Sequence, residues 1–280
     1  MYITVIIATA FQRTHWLIHR SLHSVYKQVD CDSTQINILI VDDNQDETEY
    51  GRIQTQIADL RHQFELTPND FVTAVVRNQK TRFMSGTGAW NTGIEWAFKI
   101  MPTGYVSILD DDDAYLPHHI ADCIQVIQPN TAAIFQSLQW INEDHSIWKF
   151  PLTHEVVTPT HFFIGNPGIQ GSNMFFKSQL LHLMGGFDEH LPNTTDRDLM
   201  IRFLWLLQNL NQHTDASWQI QVLTTVGVLH YNHATQKVNN QFSLKHQGLN
   251  LFYNKYKTHF NETDYQQSLL RAAKLFQYCP

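Results

Sequence analysis

The chain has 280 residues, of which 43% are hydrophobic and 16% are charged, and its formal net charge is −7 with histidine neutral. This composition suits a packed core and excludes a disordered chain, while the negative charge argues against nucleic acid as a partner. The three cysteines form no CxxC pair, so the sequence predicts neither a disulfide framework nor a zinc knuckle and indicates a cytoplasmic location.

Short apolar runs alternate with helical patterns through the first half of the sequence. The predicted strands are Tyr2–Ala8, Ile36–Val41, Phe71–Val76 and Tyr105–Leu109, and the predicted helices are His15–Gln28, Thr48–Phe64 and Gly88–Ile100. Pro117 favours the start of a further helix that runs to about Ile127. This alternation predicts an α/β fold with a mostly parallel central sheet, which binds ligands at the carboxyl ends of its strands.

The alternation changes after residue 130. Further elements are predicted as a strand pair over 132–150, a strand within 168–177, short and long helices over Lys177–Met184 and Arg197–Leu210, and two helices between Phe242 and Tyr278. The start of the chain lacks the features of a signal peptide, and no apolar run reaches the length that spans a membrane. We therefore expect one compact domain with a helical extension at its carboxyl end.

Four consecutive aspartates, Asp110–Asp113, directly follow the fourth predicted strand. Adjacent carboxylates repel each other, and a divalent cation relieves that repulsion. Magnesium and manganese take oxygen ligands, commonly one or two carboxylates completed by water and substrate phosphates. A solvated acidic turn is the alternative. Because the four residues lie at a strand end and before a helix start, we favour a metal held against a diphosphate.

The ends of the first two strands carry further candidates. Asp43 can accept a hydrogen bond from a base or a sugar, whereas the neighbouring Asp46 and Glu47 suit the capping of the next helix. Phe11 is placed to stack on a nucleobase, and Arg13 is placed to face phosphate. These residues alone are a weak signal for nucleotide binding.

Five segments occur in the order expected of family 2 glycosyltransferases: VIIATAFQRTHWLIHRSLHSVYKQ, ILIVDDNQDET, SGTGAWNTGIEWA, SILDDDDAYLP and MGGFDEHLPNTTDRDLMIRF. The chain resembles this family over roughly residues 2–235. The resemblance implies a GT-A fold over 1–235, with a nucleotide-sugar half at 1–130, an acceptor half at 131–235 and a helical extension at 236–280. It also implies a metal-dependent, inverting enzyme that moves a sugar from a nucleotide-diphosphate donor, expected to be a UDP-sugar, to a hydroxyl of a glycan or lipid-linked acceptor.

The resemblance assigns the donor contacts to the strand ends. Thr9 and Phe11 match the loop that lines the nucleoside, and Asp43 matches the carboxylate that meets the uracil. Arg77 and Arg82 are further cations that can meet the diphosphate, although both also suit an ordinary exposed loop.

The acidic run matches the Asp-x-Asp region of the family. The resemblance places Asp110 and Asp111 at the nucleotide, with Asp111 near the ribose, and makes Asp112 a ligand of Mn²⁺ or Mg²⁺. Asp113 is expected to face the acceptor or to cap the following helix. In the later segment GVLHYNHATQ, His233 suits the metal better than His230, and a surface-loop histidine is the alternative for both.

The segment TDRD, residues 195–198, matches the region that supplies the general base in inverting members of the family, with Thr195 where glutamate is common. Asp196 takes the position of that base, which removes the proton of the acceptor hydroxyl. Whether Asp198 serves instead remains open. The structural alternative is a capping box between Thr195 and Asp198, which leaves Asp196 to project into the cleft.

The sequence also bears on two other functions. A sugar nucleotidyltransferase needs a glycine-rich loop at the first strand end, and ATAFQRT contains no glycine. A catalytically inactive nucleotide-sugar or carbohydrate-binding protein on the same fold stays open, because Thr195 and Trp90 differ from the family pattern.

The resemblance to the family implies a role in polysaccharide biosynthesis in the cytoplasm. If the protein binds a membrane, we expect it at the inner face. Lysines beside aromatic residues in the carboxyl-terminal helices, namely Lys245, Lys255 and Lys257 with Phe252 and Tyr256, suit peripheral membrane contact, and an ordinary packed helix is the favoured alternative. The sugar, the acceptor, the linkage and the oligomeric state are not predicted.

Overall fold

The structure is a computed structural model that describes residues 1–31, 34–81, 85–232 and 242–279. Within these residues, nine strands form one sheet. The strands are β1 Tyr2–Thr9, β2 Gln35–Asp42, β3 Val72–Arg77, β4 Tyr105–Asp110, β5 Ala114–Tyr115, β6 Thr131–Asn142, β7 Ile147–Phe150, β8 Met174–Lys177 and β9 Gln219–Asn232.

The first half of the sheet is parallel, as the sequence predicts. The strand order is β3-β2-β1-β4-β8-β6-β9-β5. Strand β7 lies outside this order and pairs with β6. Strands β1 to β4 are parallel neighbours, β8 runs antiparallel to β4 and β6, and β9 runs parallel to β6. Thr9 pairs with Asp42, and Ala8 pairs with Asp110, so β1, β2 and β4 end at one edge. This register brings the acidic run beside the first strand end.

Helices cover both faces of the sheet. They are α1, made of the consecutive segments Thr14–Trp16, Leu17–Leu22 and His23–Tyr26, then α2 Glu47–Gln63, α3 Thr87–Ile100, α4 His119–Gln125, α5 Pro159–Ile164, α6 Ser178–Leu183, α7 Thr195–His213, α8 Phe242–Tyr256 and α9 Glu262–Phe276. The middle segment of α1 is a π-helix, and short 3₁₀ turns occur at His154–Val156 and Gly171–Asn173. No helix in the described part of the chain is long and apolar enough to cross a membrane.

The predicted helices and the strand pair over 132–150 are confirmed. Four other elements differ from the prediction. Strands β5 and β9 and helix α5 were not predicted. The strand expected within 168–177 is only β8, because Gly171–Asn173 form a 3₁₀ turn before it.

Helix starts follow local hydrogen bonding. The Asp46 carboxylate accepts a bond of 2.8 Å from the backbone N–H of Thr48, which confirms the capping of α2. The capping box expected at Thr195 and Asp198 is wrong. The N-cap of α7 is Thr194 in the left-handed region, with φ 70°, and no side-chain bond caps the helix there.

Alternation along the strands divides the core into two layers. On β1, Ile3, Val5 and Ile7 face the layer that contains α1 and α2, whereas Ile6 faces the layer that contains α3 and Trp90. This period of two is what a strand buried on both faces requires.

The carboxyl-terminal helices pack into the same core as α3. Phe252 and Tyr256 of α8 are 0% and 2% exposed, and Lys255 forms ion pairs with Asp188 and Asp198. Phe252 and Tyr256 therefore belong to the packed core, and peripheral membrane contact stays a prediction. The buried Asp198 carboxylate also accepts bonds from Arg202 Nε at 2.8 Å and from Tyr256 Oη at 2.7 Å. Asp198 thus joins α7 to α8.

We predict that Asp198→Ala lowers the free energy of unfolding by about 3 kcal/mol, because it leaves partly buried cations without their carboxylate. Urea unfolding followed by circular dichroism measures this loss. The control is Asp215→Ala at an exposed position, for which we expect a change within about 0.5 kcal/mol. Equal stability of the two variants would contradict a structural role for Asp198.

Candidate active site

The acidic run is anchored from the end of β1. Asp111 accepts hydrogen bonds from Thr9 Oγ1 at 2.9 Å and from Arg13 Nε at 2.8 Å, and it is 3% exposed. Asp112 Oδ2 lies 3.1 Å from Arg13 Nη2. The structure therefore brings together Thr9, Arg13, Asp111 and Asp112 at this strand end. Arg13 is already paired with these carboxylates, so its contact with phosphate remains a prediction.

Asp113 points into the protein. Its carboxylate accepts bonds from Ser172 Oγ at 2.6 Å and from the backbone N–H of Tyr231 at 3.1 Å, and it lies 2.7 Å from His230 Nδ1. The expectation that Asp113 faces the acceptor or caps a helix is wrong, because the side chain is fully buried and ties β4 to β9. His230 is thereby committed to Asp113.

Arg20 is a site residue that the sequence analysis missed. Its guanidinium donates to the Asp112 backbone carbonyl at 2.9 Å and lies 3.8 Å from the centre of the Tyr231 ring. It fixes the main chain of the acidic run from α1. No local pattern marks this residue, because both contacts join segments distant in the sequence.

The pKa values of the acidic run show a shortage of positive charge. Burial raises the pKa of Asp110 well above its usual range, and the charges of Asp113 and Asp112 raise it further. Burial also raises the pKa of Asp111, although the charge of Arg13 acts in the opposite direction. A cation near these carboxylates would stabilise their ionised forms.

Asp112, the predicted metal ligand, is buried and pairs with Arg13. Within the described residues no group of three His, Cys, Asp or Glu side chains is arranged to hold an ion. The donor set nevertheless fits Mg²⁺ or Mn²⁺, which commonly bind one or two carboxylates and take their other ligands from substrate phosphates and water. His233 and Arg82, both predicted site residues, lie outside the described residues.

The nucleoside candidates lie beside this group at the ends of β1 and β2. Asp43 is 5% exposed and accepts a bond of 2.5 Å from Asn78 Nδ2, while its backbone N–H donates to the Thr9 carbonyl at 2.8 Å. Phe11 is 53% exposed, which leaves its ring accessible to a base. Asn78, which the sequence analysis missed, fixes the orientation of Asp43.

Asp196 approaches the acidic run from the first turn of α7. It is half-buried, and burial raises its pKa to about 7, while the charge of Lys245 acts in the opposite direction. The charge of Asp196 also raises the pKa of Asp110, although by less than burial and the charges of Asp113 and Asp112 do. The two carboxylates are therefore close enough to interact. Asp198, the alternative base, is held in the ion-pair network of α7 and α8.

Trp90 lies near Asp110, across Gly171. A side chain added at Gly171 would meet Asp110 Oδ1 and Trp90 at 3.4 Å each, so both residues flank this glycine. The Trp90 ring packs on Phe187 at 4.8 Å. Its buried Nε1–H finds no hydrogen-bond partner among the described residues, and it can donate to a ligand.

This arrangement of an acidic β4 end, a parallel half-sheet and a buried carboxylate on α7 is that of a GT-A fold. Solved structures support the fold. S. aureus TarS 1–349 in complex with UDP-GlcNAc matches with a TM-score of 0.63 at 14% identity, covering 99% of this chain and 74% of that one. The mannosyltransferase PcManGT from Pyrobaculum calidifontis, in complex with GDP-Man and Mn²⁺, matches with a TM-score of 0.56 at 16% identity, covering 98% and 69%.

The chain belongs to glycosyl transferase family 2, whose sequence profile matches residues 5–185, more than half of its length. It is a glycosyltransferase, as its resemblance to the family implies. No curated protein sequence matches the chain.

Proposed function

We propose that this protein transfers a sugar from a UDP-sugar to a hydroxyl of a glycan or lipid-linked acceptor, with inversion and with Asp196 as the general base. The observation that carries the proposal is the position of Asp196, whose pKa is about 7, beside the acidic end of β4. In this proposal residues 1–130 bind the donor and 131–235 bind the acceptor.

The donor would bind along the shared edge of β1, β2 and β4. Phe11 and Asp43 would contact the base, and Asp111 would contact the ribose, with Thr9 and Arg13 holding its carboxylate. Structures on the same fold that hold UDP-GlcNAc or GDP-Man support a nucleotide-sugar donor. A donor at this edge accords with the general rule for open α/β sheets.

Asp112 would hold Mn²⁺ or Mg²⁺ together with oxygens of the donor diphosphate. The ion, when bound, supplies positive charge that stabilises the diphosphate as a leaving group. The structure of PcManGT with Mn²⁺ supports the use of a divalent metal. Arg20 would keep the Asp112 main chain in place through its bond to the carbonyl.

Asp196 would accept the proton of the acceptor hydroxyl while the new glycosidic bond forms and the bond to the diphosphate breaks. The two events on opposite faces of the anomeric carbon invert its configuration without a covalent enzyme intermediate. A base with a pKa near 7 suits this task, because it is substantially ionised at neutral pH yet basic enough to take the proton.

We predict that Asp196→Asn lowers the transfer rate by about 10²- to 10⁴-fold, because the amide cannot accept the proton. The affinity for UDP in the presence of Mn²⁺ should persist in this variant and fall in Asp112→Ala. A coupled assay of UDP release and isothermal calorimetry with UDP separate the two effects. Transfer at the wild-type rate in Asp196→Asn would rule out this base.

The pKa of Asp196 predicts the pH dependence. Below about pH 7 the carboxyl is protonated, so kcat/KM should fall about tenfold per pH unit and should level off above pH 7. Lys245→Gln removes the charge that lowers this pKa, so the midpoint should move to higher pH. A rate that does not change between about pH 5 and 9 would contradict the assignment.

Turnover distinguishes the enzyme from an inactive binding protein on the same fold. We expect UDP and Mn²⁺ together to raise the melting temperature more than either alone, because both would bind the native state at one site. We also expect UDP-sugars to release UDP with Mn²⁺ but not with EDTA. Stabilisation by UDP-sugars without any release of UDP would instead indicate the binding protein.

A further inference from the structure

A small cavity lies beside α7, between α5 and the carboxyl-terminal helices. Its volume is about 60 Å³, and three cationic side chains line it, Arg197, Lys245 and Arg271. None of the described residues that line it is acidic. Space of this size accommodates several water molecules or one small oxyanion.

These cations differ from the others around them. Lys255 and Arg202 nearby pair with Asp198, whereas within residues 1–31, 34–81, 85–232 and 242–279 no carboxylate forms an ion pair with any of the three cations of the cavity. Burial and the charge of Arg197 lower the pKa of Lys245 to about 8. Gathering unpaired positive charge in this way is unfavourable, and a bound anion reverses that cost.

Close packing holds Lys245 at the cavity. A side chain added at Gly248 would meet the Asn193 backbone and Cβ at 2.8 Å, so this glycine lets α8 approach the loop before α7. Lys245 lies three residues earlier on the same helix face, and its Nζ donates to Asn193 Oδ1 at 2.7 Å.

Arg271 fills a space that Gly165 leaves open. A side chain at position 165 would collide with the Cδ and Nε atoms of Arg271. Arg197 has a structural role as well, since its guanidinium donates to the Phe162 carbonyl at 2.8 Å and to Ser268 Oγ at 3.2 Å. Arg271 is exposed, and its bond to the Asn166 carbonyl, at 3.4 Å, is longer than those of Arg197, so Lys245 and Arg271 are the cations of the cavity that are best placed to bind a ligand.

The cavity and the proposed base share helix α7. Arg197 follows Asp196 directly in α7, and the positive charge of Lys245 lowers the pKa of Asp196 against the effect of burial. A molecule that presents a hydroxyl to Asp196 would thus bring its neighbouring substituents to these cations. The proposed donor diphosphate, by contrast, belongs to Asp112 at the end of β4.

We infer that the acceptor carries an oxyanion, a phosphate or a carboxylate group, which binds Lys245 and Arg271 while its hydroxyl faces Asp196. This inference rests on the proposed function and extends the acceptor site from residues 131–235 into the carboxyl-terminal helices. Planar guanidinium and compact ammonium groups are both well suited to oxygen anions, and charge-assisted bonds to them are the strong ones.

The test is calorimetric titration of the full chain with glycerol 1-phosphate, with glucuronate and with neutral glycerol. We expect binding of the anionic probes alone, and the stronger of the two identifies the phosphate or the carboxylate. Arg271→Gln should weaken that binding roughly tenfold or more. Gly165→Ala, which displaces Arg271 without removing its charge, should weaken it too. The matched control is Lys274→Gln, an exposed lysine on the same helix α9, which should bind as the wild type does.

Three results would overturn the inference: neither anionic probe binds, Lys274→Gln loses as much affinity as Arg271→Gln, or Arg271→Gln weakens UDP by the same factor. The last result would assign the cations to the donor phosphates. Turnover of a UDP-sugar without oxyanion binding would remove this inference alone. Oxyanion binding without turnover of any donor would instead contradict the proposed function.

Discussion

The site depends on how one strand end accommodates four adjacent carboxylates. Asp113 turns inward to Ser172 and His230, Asp111 is held by Thr9 and Arg13, and Asp112 pairs with Arg13, so three of the four carboxylates have partners within the protein. Burial raises the pKa of Asp110, and no described cation pairs with this carboxylate to lower it. The structure thus distributes the repulsion unevenly and leaves a region where positive charge would be stabilised. A diphosphate-bound cation is the ligand whose chemistry best suits such a region.

Two aspartates two positions apart in α7 have different environments. Asp198 is buried among Arg202, Lys255 and Tyr256, and those contacts join the carboxyl-terminal helices to the domain. Asp196 has no such set of partners among the described residues, and its pKa rises to about 7. A carboxylate that is paired with several cationic side chains stabilises the fold. A half-buried carboxylate with a raised pKa can instead exchange a proton near neutral pH. The carboxyl-terminal helices contribute to both environments, through Lys255 in one and Lys245 in the other.

The sequence predicts the parallel half of the sheet well, because β1, β2 and β4 are continuous apolar runs buried on both faces. It marks Thr9, Arg13 and Asp111 as candidates at the strand ends, but it does not predict the hydrogen bonds that join them. It does not predict β9, whose pairing with β6 contains irregular registers and joins segments far apart in the chain. The inward turn of Asp113 was missed for the same reason, since Ser172 and His230 come from distant elements. The pattern at residues 195–198 suggested a capping box. The helix instead begins after Thr194, whose backbone is left-handed.

The most direct test of the account is a crystal structure of the full chain with UDP and Mn²⁺, using the anomalous signal of manganese. We expect the manganese peak against the Asp112 carboxylate and the β-phosphate, with the uracil near Asp43 and Asp196 facing the vacant sugar position. A manganese peak away from residues 110–112, or a nucleotide bound elsewhere on the protein, would contradict it.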